Sequence, residues 1–309
     1  MYSLKDLKTA MDEPKIFLRE LNRLYHTRLR RWEYNRNAPN FFEEDWDNLI
    51  ILDACRYDAF EEARTEYDLP GEFGPNYSRG SATMEFLEAN LNDQDLSDTV
   101  YVTATSMLYR MVVLKERIDH NLHEIVDVWE DAIDVGEWGV RPERMAEQVR
   151  EVSDEFPNKR LVAHFIQPHI PFIGEFGQER FEETQIWRSM RRGDLNASDE
   201  ELWRAYRENL HIVLPSVSDL LAELPGKTVV TADHGQLIGE RGFPIPLKEY
   251  GHPHGIYRDE LVKVPWLAHQ NGSRKRIVAG DSVGTEYQGK DHEELDEKAE
   301  EHLENLGYL

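Results

Sequence analysis

The sequence predicts an α/β fold in which a single large domain is built on a mostly parallel central sheet, with helices on both faces. Residues 48–52 and 228–230 form almost wholly apolar runs, as expected of strands that are covered on both faces. Stretches with helical spacing separate such runs along the chain. This alternation of strands and helices is typical of a parallel sheet.

The composition limits the classes of partner. The chain has 309 residues, of which 40% are hydrophobic, enough for one large domain. Its formal net charge is −24, from 60 acidic and 36 basic residues, which argues against nucleic acid as a partner. The acidic residues are spread along the chain and Arg outnumbers Lys, which favours a halophilic protein over an acidic mesophilic one.

Cysteine content and hydropathy give two further exclusions. Cys55 is the single cysteine, so the sequence allows no intrachain disulfide and no cysteine-rich metal site. No apolar run approaches the roughly 20 residues that a membrane helix needs. Residues 1–30 also lack the apolar core of a signal peptide, so we expect a cytoplasmic protein.

Residues 1–45 are predicted to form a basic, helical N-terminal extension. Asp12 is placed to cap a helix, and Pro14 suits its first turn. We expect this helix to pack on the acidic body through salt bridges, and the alternative is contact with a membrane surface or a protein partner. Apolar residues at roughly helical spacing are Phe17, Leu21, Leu24 and Trp32, and the interspersed arginines are Arg19, Arg23, Arg28, Arg30, Arg31 and Arg36.

Residues 46–270 are predicted to form the α/β domain, and residues 271–309 a polar linker followed by a terminal helix packed on that domain. Glycine and proline mark residues 71–80 and 236–250 as loops, while residues 107–140 have no clear pattern. The predicted strands are residues 48–52, 99–103, 160–166, 228–231 and 264–267, and the predicted helices are residues 141–155, much of 177–224, and 293–306.

Polar side chains follow two of the predicted strands. Asp53 comes directly after the first apolar run, and Asp233 and His234 follow the second one. The carboxyl ends of parallel strands share the edge at which ligands bind, and carboxylate with imidazole suits a divalent cation. His252 and His254 add a third segment. From residue types alone, a helix cap for Asp53 and a surface loop for the Asp-His pair stay open.

Ser81 and Thr83 lie where a turn-rich loop leads into a predicted helix. Hydroxyls at such a boundary commonly cap the helix. The alternative is a nucleophile, because a helix N-terminus favours an anionic substrate and a nearby cation activates a hydroxyl. His169, held between Pro168 and Pro171 at a strand end, is either a substrate contact or a packing residue.

The order of these segments resembles the alkaline phosphatase superfamily, specifically its sulfatase-like branch, which includes lipoteichoic acid synthase-like proteins. The resemblance covers approximately residues 48–309. It rests on residues 48–53 with Arg56 and Asp58, on 168–172, on 231–235, on Gly251 and His252 with Tyr257 and residues 264–265, and on the closing Leu306, Gly307 and Tyr308.

The resemblance implies a metal-assisted site. Asp53, Asp233 and His234 would bind a divalent cation, with Ser81 and His252 as further candidate ligands for one or two ions per site. Carboxylate, hydroxyl and imidazole ligands favour Mn²⁺ or Zn²⁺ over Mg²⁺ or Ca²⁺.

The resemblance also implies roles in catalysis and substrate binding. Ser81 is preferred to Thr83 as the nucleophile, because Ser81 precedes a Glu-Phe pair by four residues, as the nucleophile of lipoteichoic acid synthase-like proteins does. His252 would contact the leaving group or the substrate. The candidates for binding the anionic substrate are Arg56, Arg79, His169 and His254.

Two departures from the sulfatase pattern decide between reactions. The segment after Ser81 lacks the Pro and Arg of the motif that is oxidised to formylglycine, and Ala54 replaces the second aspartate. We therefore expect a metal-dependent hydrolase or transferase of phosphate esters or phosphodiesters, acting on an anionic small molecule or a glycan- or lipid-linked ester. The alternatives are a sulfatase without formylglycine and a catalytically degenerate sulfatase-like protein that binds an anionic glycan or a partner.

Overall fold

The computed structural model describes residues 14–30, 34–130, 139–181, 185–280 and 292–308. The predicted helix cap Asp12, the apolar residue Trp32 and the basic residue Arg31 lie outside the described residues. Residues 281–289 of the predicted linker lie outside them as well.

A seven-stranded sheet forms the centre of the molecule. Its strands are β1 (Asn48–Leu52), β2 (Glu72–Tyr77), β3 (Thr99–Thr103), β4 (Glu124–Asp127), β5 (Arg160–Phe165), β6 (Gly226–Thr231) and β9 (Lys263–Asn271), and β7 (Leu237–Arg241) pairs with β8 (Lys248–Gly251) in a separate hairpin. The spatial order is β2–β9–β6–β1–β5–β3–β4, and in this described sheet β9 runs in the direction opposite to the other six strands. The mostly parallel sheet confirms the predicted α/β class.

Strand β1 lies at the middle of this sheet, and all five of its residues are buried. It pairs in parallel with β5 on one side and with β6 on the other. Leu52 is level with Phe165, and Ile51 is level with both His164 and Thr231. The three strands therefore end together, and the residues that follow them meet at one edge of the sheet.

Helices cover the sheet. The longest (Asp199–Glu223) begins with a capping box in which Ser198 and Glu201 bond each other's backbone, and it packs on the helices Tyr57–Glu66, Pro142–Glu155 and Glu175–Arg180. The helices are α1 (Pro14–Arg30), α2 (Tyr57–Glu66), α3 (Thr83–Leu91), α4 (Met107–Tyr109) with a π-helical turn (Arg110–Leu114), α5 (Pro142–Glu155), α6 (Glu175–Arg180), α7 (Ile186–Arg192), α8 (Asp199–Glu223), α9 (Asp259–Val262) and α10 (His292–Asn305), with a 3₁₀ turn at Phe41–Glu43.

Two stretches that were expected to be loops contain strands. Strand β2 lies within residues 71–80, where Gly74 and Pro75 indicated a loop. An edge strand tolerates both residue types because one side of its backbone needs no partner strand. Likewise, residues 236–250 form most of the β7–β8 hairpin. Residues 107–127, which the sequence left unassigned, contain α4, the π-helical turn and β4.

Helix α1 packs across α7 and the β7–β8 hairpin. Asn22 exchanges two hydrogen bonds of 2.8 Å with the backbone of Ile245, and Arg19 forms a 3.0 Å salt bridge with Glu249. The basic extension is thus attached to the domain by specific polar contacts. None of the described helices combines the length and the apolar character needed to cross a membrane.

Candidate active site

Three side chains that can bind a metal meet at the carboxyl edge of the sheet. Asp53 follows β1, Asp233 and His234 follow β6, and all three are 0% exposed. One ligand atom from each lies within 4.8 Å of the others. His234 Nε2 is 3.3 Å from Asp233 Oδ2 and 3.7 Å from Asp53 Oδ1.

The backbone sets the orientation of Asp233. Its Oδ1 accepts hydrogen bonds from the amides of Ala54, at 3.0 Å, and of His234, at 2.8 Å. Ala54 has a φ of 57°, a left-handed conformation that costs an alanine about 1 kcal/mol. Tyr206 stabilises this turn, because its hydroxyl donates to the Ala54 carbonyl and accepts from the Arg56 amide. Asp233 Oδ2 is therefore left to face the other two ligands.

The tautomer of His234 follows from its neighbours. Nδ1 lies 2.7 Å from the carbonyl oxygen of Gly235, which can only accept, so Nδ1 carries the proton. Nε2 is then unprotonated and lies beside the two carboxylates, as in a metal-binding histidine. Gly235 permits this turn because a Cβ there would lie 2.2 Å from the carbonyl oxygen of Glu260.

The donor set fits a divalent cation. Asp53 Oδ1 and Asp233 Oδ2 are buried without a hydrogen-bond partner among the described residues. Leaving two carboxylate oxygens buried and unpaired is costly. Burial, with the nearby charge of Asp233, raises the pKa of Asp53 well above its ordinary value. Two carboxylates and one imidazole are ligands that Zn²⁺ and Mn²⁺ accept, so this group is a candidate divalent metal site.

Thr83 is the hydroxyl residue at this centre. It is the first residue of α3, it is buried, and its Oγ1 lies 3.2 Å from His234 Nε2. Because Nε2 can only accept, the Thr83 hydroxyl donates this hydrogen bond. The chain reaches the start of α3 in a tight turn at Gly80, where a Cβ would lie 2.4 Å from the Phe86 amide nitrogen.

Ser81 has a different position from the one that its motif suggested. Its hydroxyl donates to Glu85 Oε2 at 2.7 Å and accepts from the Gly255 amide at 3.0 Å. Its own amide also donates to Glu85, at 2.8 Å. These bonds join the start of α3 to the loop after β8, and in the described hydrogen-bond network Ser81 has no contact with Asp53, Asp233 or His234. The four-residue spacing to Glu85 thus has a structural use here.

His169 and His252 form a pair beside the candidate metal ligands. Their Nε2 atoms are 3.0 Å apart, and the His252 ring centroid is 4.5 Å from that of His234. His169 Nδ1 lies 2.9 Å from the Ile170 carbonyl and therefore donates to it, which makes His169 Nε2 an acceptor. Burial lowers the pKa of His169 to about 4 and that of His252 well below its ordinary value, so both rings are neutral at pH 7.

Two site residues were not assigned a role from the sequence. Tyr308 donates a hydrogen bond from its hydroxyl to Asp53 Oδ2, and its ring stacks on His169 with centroids 4.7 Å apart. His164 Nε2 is 3.9 Å from Asp233 Oδ2, and its Nδ1 is 2.9 Å from the Tyr101 hydroxyl. A histidine inside an apolar strand was the available signal for His164.

The arginines proposed for substrate binding have other partners. Arg56 forms ion pairs with Asp58, at 2.7 Å, and with Glu240. Arg79 donates to the backbone carbonyls of Ala38 and Ala89. The structure therefore engages both guanidinium groups away from the three candidate metal ligands. His254 is exposed at the mouth of the site, with its Nδ1 3.3 Å from Glu85 Oε1.

Comparisons with known proteins give structural neighbours only. No family model and no curated protein matches the sequence. The chain is similar to the C-terminal periplasmic domain of EptC from Escherichia coli in complex with Zn, with 16% identity, 78% and 76% of the two chains covered, and a TM-score of 0.47. It is also similar to the lipooligosaccharide phosphoethanolamine transferase EptA from Neisseria meningitidis, with 15% identity, 86% of this chain and 53% of EptA covered, and a TM-score of 0.46. A third similar structure is a protein in the alkaline phosphatase superfamily from Vibrio parahaemolyticus, with 11% identity, 82% of this chain and 70% of that chain covered, and a TM-score of 0.43.

Proposed function

We propose that the protein is a metal-dependent hydrolase or transferase of phosphate esters or phosphodiesters, of the sulfatase-like branch of the alkaline phosphatase superfamily, with Thr83 as its nucleophile. One observation carries this proposal. The buried Thr83 hydroxyl, at a helix N-terminus, lies 3.2 Å from an imidazole nitrogen that shares a site with two unpaired carboxylate oxygens.

Asp53, Asp233 and His234 would hold the cation, each through the atom that faces the centre. When bound, a divalent cation supplies positive charge that lowers the pKa of a neighbouring hydroxyl and offsets the charge of phosphoryl oxygens. The Thr83 hydroxyl lies 3.2 Å from the His234 nitrogen that would bind the cation, so the cation would take the place of this hydrogen bond beside Oγ1.

The start of α3 gives a second source of stabilisation. The helix has nine residues, and its N-cap residue Ala82 makes no side-chain cap hydrogen bond. The amide groups of the first turn are therefore available to the oxygens of a phosphoryl group, and the helix dipole favours negative charge there. Thr83 thus places the attacking oxygen and the anion-binding amides on the same turn.

The reaction follows in two displacements. Thr83 loses its proton to water, and its Oγ1 bonds to phosphorus as the bond to the leaving oxygen breaks. The leaving oxygen takes a proton from water and departs. Water, in a hydrolase, or an alcohol, in a transferase, then attacks the phosphothreonine and loses a proton, and Thr83 Oγ1 regains one.

The histidine pair would orient the substrate. His252 Nδ1 is buried and has no hydrogen-bond partner in the part of the chain that the structure describes. Its ring is fixed by the contacts with His169 and His234. His252 Nε2 donates to His169 Nε2, so His252 Nδ1 is an acceptor, and a substrate hydroxyl that donates to it would be held against Thr83.

The test compares metal content and turnover in matched variants. Purified protein is analysed for bound metal, and bis-p-nitrophenyl phosphate, p-nitrophenyl phosphate and p-nitrophenyl sulfate are offered with Mn²⁺ or Zn²⁺. We expect phosphate-ester turnover that Thr83→Ala removes and Thr83→Ser retains, with a phosphoryl adduct on Thr83 detected by peptide mass spectrometry.

Ser81→Ala is the matched control, because it removes a hydroxyl two residues away. It should keep bound metal and most turnover after any loss of stability is allowed for. Turnover that depends on Ser81 and survives in Thr83→Ala would contradict our assignment. Release of sulfate without phosphate would favour the sulfatase alternative, and bound metal with no turnover of any ester would favour a binding protein.

A further inference from the structure

A cavity of about 410 Å³ opens beside the candidate active site, on the side covered by α1 and α7. His252 and Tyr308 belong to its wall, so the cavity is continuous with the residues around Asp53. Five arginines line its other walls: Arg19, Arg23, Arg188, Arg191 and Arg192.

Specific contacts fix two of these arginines. Arg19 pairs with Glu249 at 3.0 Å and also donates to backbone carbonyls of α7 and β8. Arg191 donates to the Tyr250 carbonyl at 2.9 Å. Gly251 lets Arg191 approach so closely, because a Cβ there would lie 2.8 Å from the arginine Nη1. The cationic wall is therefore built into the fold beside His252.

Positive charge in this cavity exceeds negative charge. The two lining carboxylates, Glu20 and Glu249, are already paired with arginines of α1. Arg188 is exposed and has no hydrogen bond or ion pair with another described residue. Burial lowers the pKa of Arg191; Glu249 opposes this shift, and the charges of the neighbouring arginines add to it. Such unneutralised charge stands out on a chain whose net charge is −24.

We propose that this cavity is a subsite for a second anionic group of the substrate. Esters that carry a further phosphate, on the part extending from the reacting phosphorus toward α1 and α7, would then be the preferred substrates. Guanidinium groups match the geometry of phosphate oxygens and remain charged at all working pH values. The inference rests on the proposed function, since it defines the substrate of that same site.

The proposal also assigns a role to the basic helix α1. Arg56 and Arg79 are engaged by other groups, so the cationic contacts that an anionic substrate requires come from α1 and α7 instead. A local cationic cavity on an acidic protein also raises the local concentration of an anionic ligand.

The subsite is tested by binding alone, without turnover. Alkylphosphonates with roughly two to six carbons are compared with α,ω-alkane bisphosphonates of equal length. The carbon chain links the group at the metal centre to the group in the cavity. The full chain with saturating Zn²⁺ is titrated by calorimetry. At the best length we expect the bisphosphonate to bind about tenfold tighter or more, as one additional charge-assisted interaction implies. Arg188→Gln should remove most of this advantage and leave monophosphonate binding unchanged.

Arg150→Gln is the control for loss of one positive charge, since Arg150 pairs with Glu223 at the other end of the sheet, before β6 begins. Equal binding of both phosphonates at every length, or an advantage that survives in Arg188→Gln, would overturn the subsite. The subsite would also be overturned if free inorganic phosphate bound in the cavity as tightly as the second phosphonate group of the bisphosphonate. The cavity would then be an independent anion site. Monophosphonate binding by Asp233→Ala separates failure of the subsite from failure of the metal centre. If this variant no longer binds the monophosphonate, the proposed metal centre stands even where the subsite has been overturned.

Discussion

Replacing Asp53 by asparagine tests the metal centre, because two effects of opposite sign are expected. In metal-free protein Asp53 is buried beside Asp233, and one oxygen of each has no partner among the described residues. The asparagine keeps an oxygen to accept from Tyr308 and places an amide donor where Asp53 Oδ1 lies 3.7 Å from His234 Nε2. The substitution therefore removes charge repulsion with Asp233 and one of the two unpaired carboxylate oxygens.

The magnitude follows from that unpaired oxygen. Removing a buried, unpaired carboxylate oxygen is worth about 2 kcal/mol, so metal-free Asp53→Asn should melt about 4 °C above the metal-free wild type. Zn²⁺ at about 100 times its Kd should stabilise the wild type by about 2.7 kcal/mol, or about 5 °C. The variant has lost one of three ligands and should gain little from Zn²⁺.

The assay is thermal unfolding of both proteins after chelator treatment and again with Zn²⁺. Asp154→Asn, the same chemical change at an exposed position on α5, should leave both melting temperatures unchanged. If Asp53→Asn melts below the metal-free wild type, and if Zn²⁺ does not stabilise the wild type, then the carboxylates have a structural role and our assignment of a metal site is wrong.

Three further predictions concern other parts of the chain. Tyr308→Phe keeps the ring on His169 but loses the hydrogen bond to Asp53, so metal affinity in a chelator competition should fall about tenfold, and an unchanged affinity would show that this bond does not orient the ligand. Burial lowers the pKa of His302 from 6.5 to about 3, so the stability it contributes is complete above pH 6.5 and is lost as pH falls toward 3. In His302→Phe the ring can still stack on Trp129 but cannot be protonated. Between pH 7 and pH 4.5 the variant should therefore lose about 2–3 kcal/mol less free energy of unfolding than the wild type, as measured by denaturant unfolding. An equal pH dependence of stability in both proteins would contradict this. We also propose that the acidic surface is halophilic; the melting temperature should then rise steeply into molar salt, and a flat response would exclude it.

Much of the arrangement could be predicted because strand ends in a parallel sheet share an edge. Asp53 follows β1 directly, and Asp233 and His234 follow β6 after one further residue, so the fold class alone brings them together. His169 follows β5 in the same way. For these residues the apolar runs and the rule for ligand-binding edges were sufficient to predict a shared edge, while their roles stayed open.

The choice between the two hydroxyl residues could not be made from the sequence. Ser81 and Thr83 are two residues apart at the same boundary, and which one faces the centre depends on where α3 begins. Glu85 bonds both the amide and the hydroxyl of Ser81, and α3 then begins at Thr83. Long-range contacts are equally invisible in a linear pattern, as the pairing of Arg56 with Glu240 shows.

The hydrogen bond between Tyr308 and Asp53 joins residues 255 positions apart. A ribosome synthesises Asp53 early and Tyr308 only after every strand of the described sheet has been made. Domains begin to fold during synthesis, yet this contact has to wait for the last part of the described chain. A cation that binds before Tyr308 has been synthesised would find Asp53 without its phenol partner. We therefore expect the nascent chain to have a lower metal affinity than the finished chain.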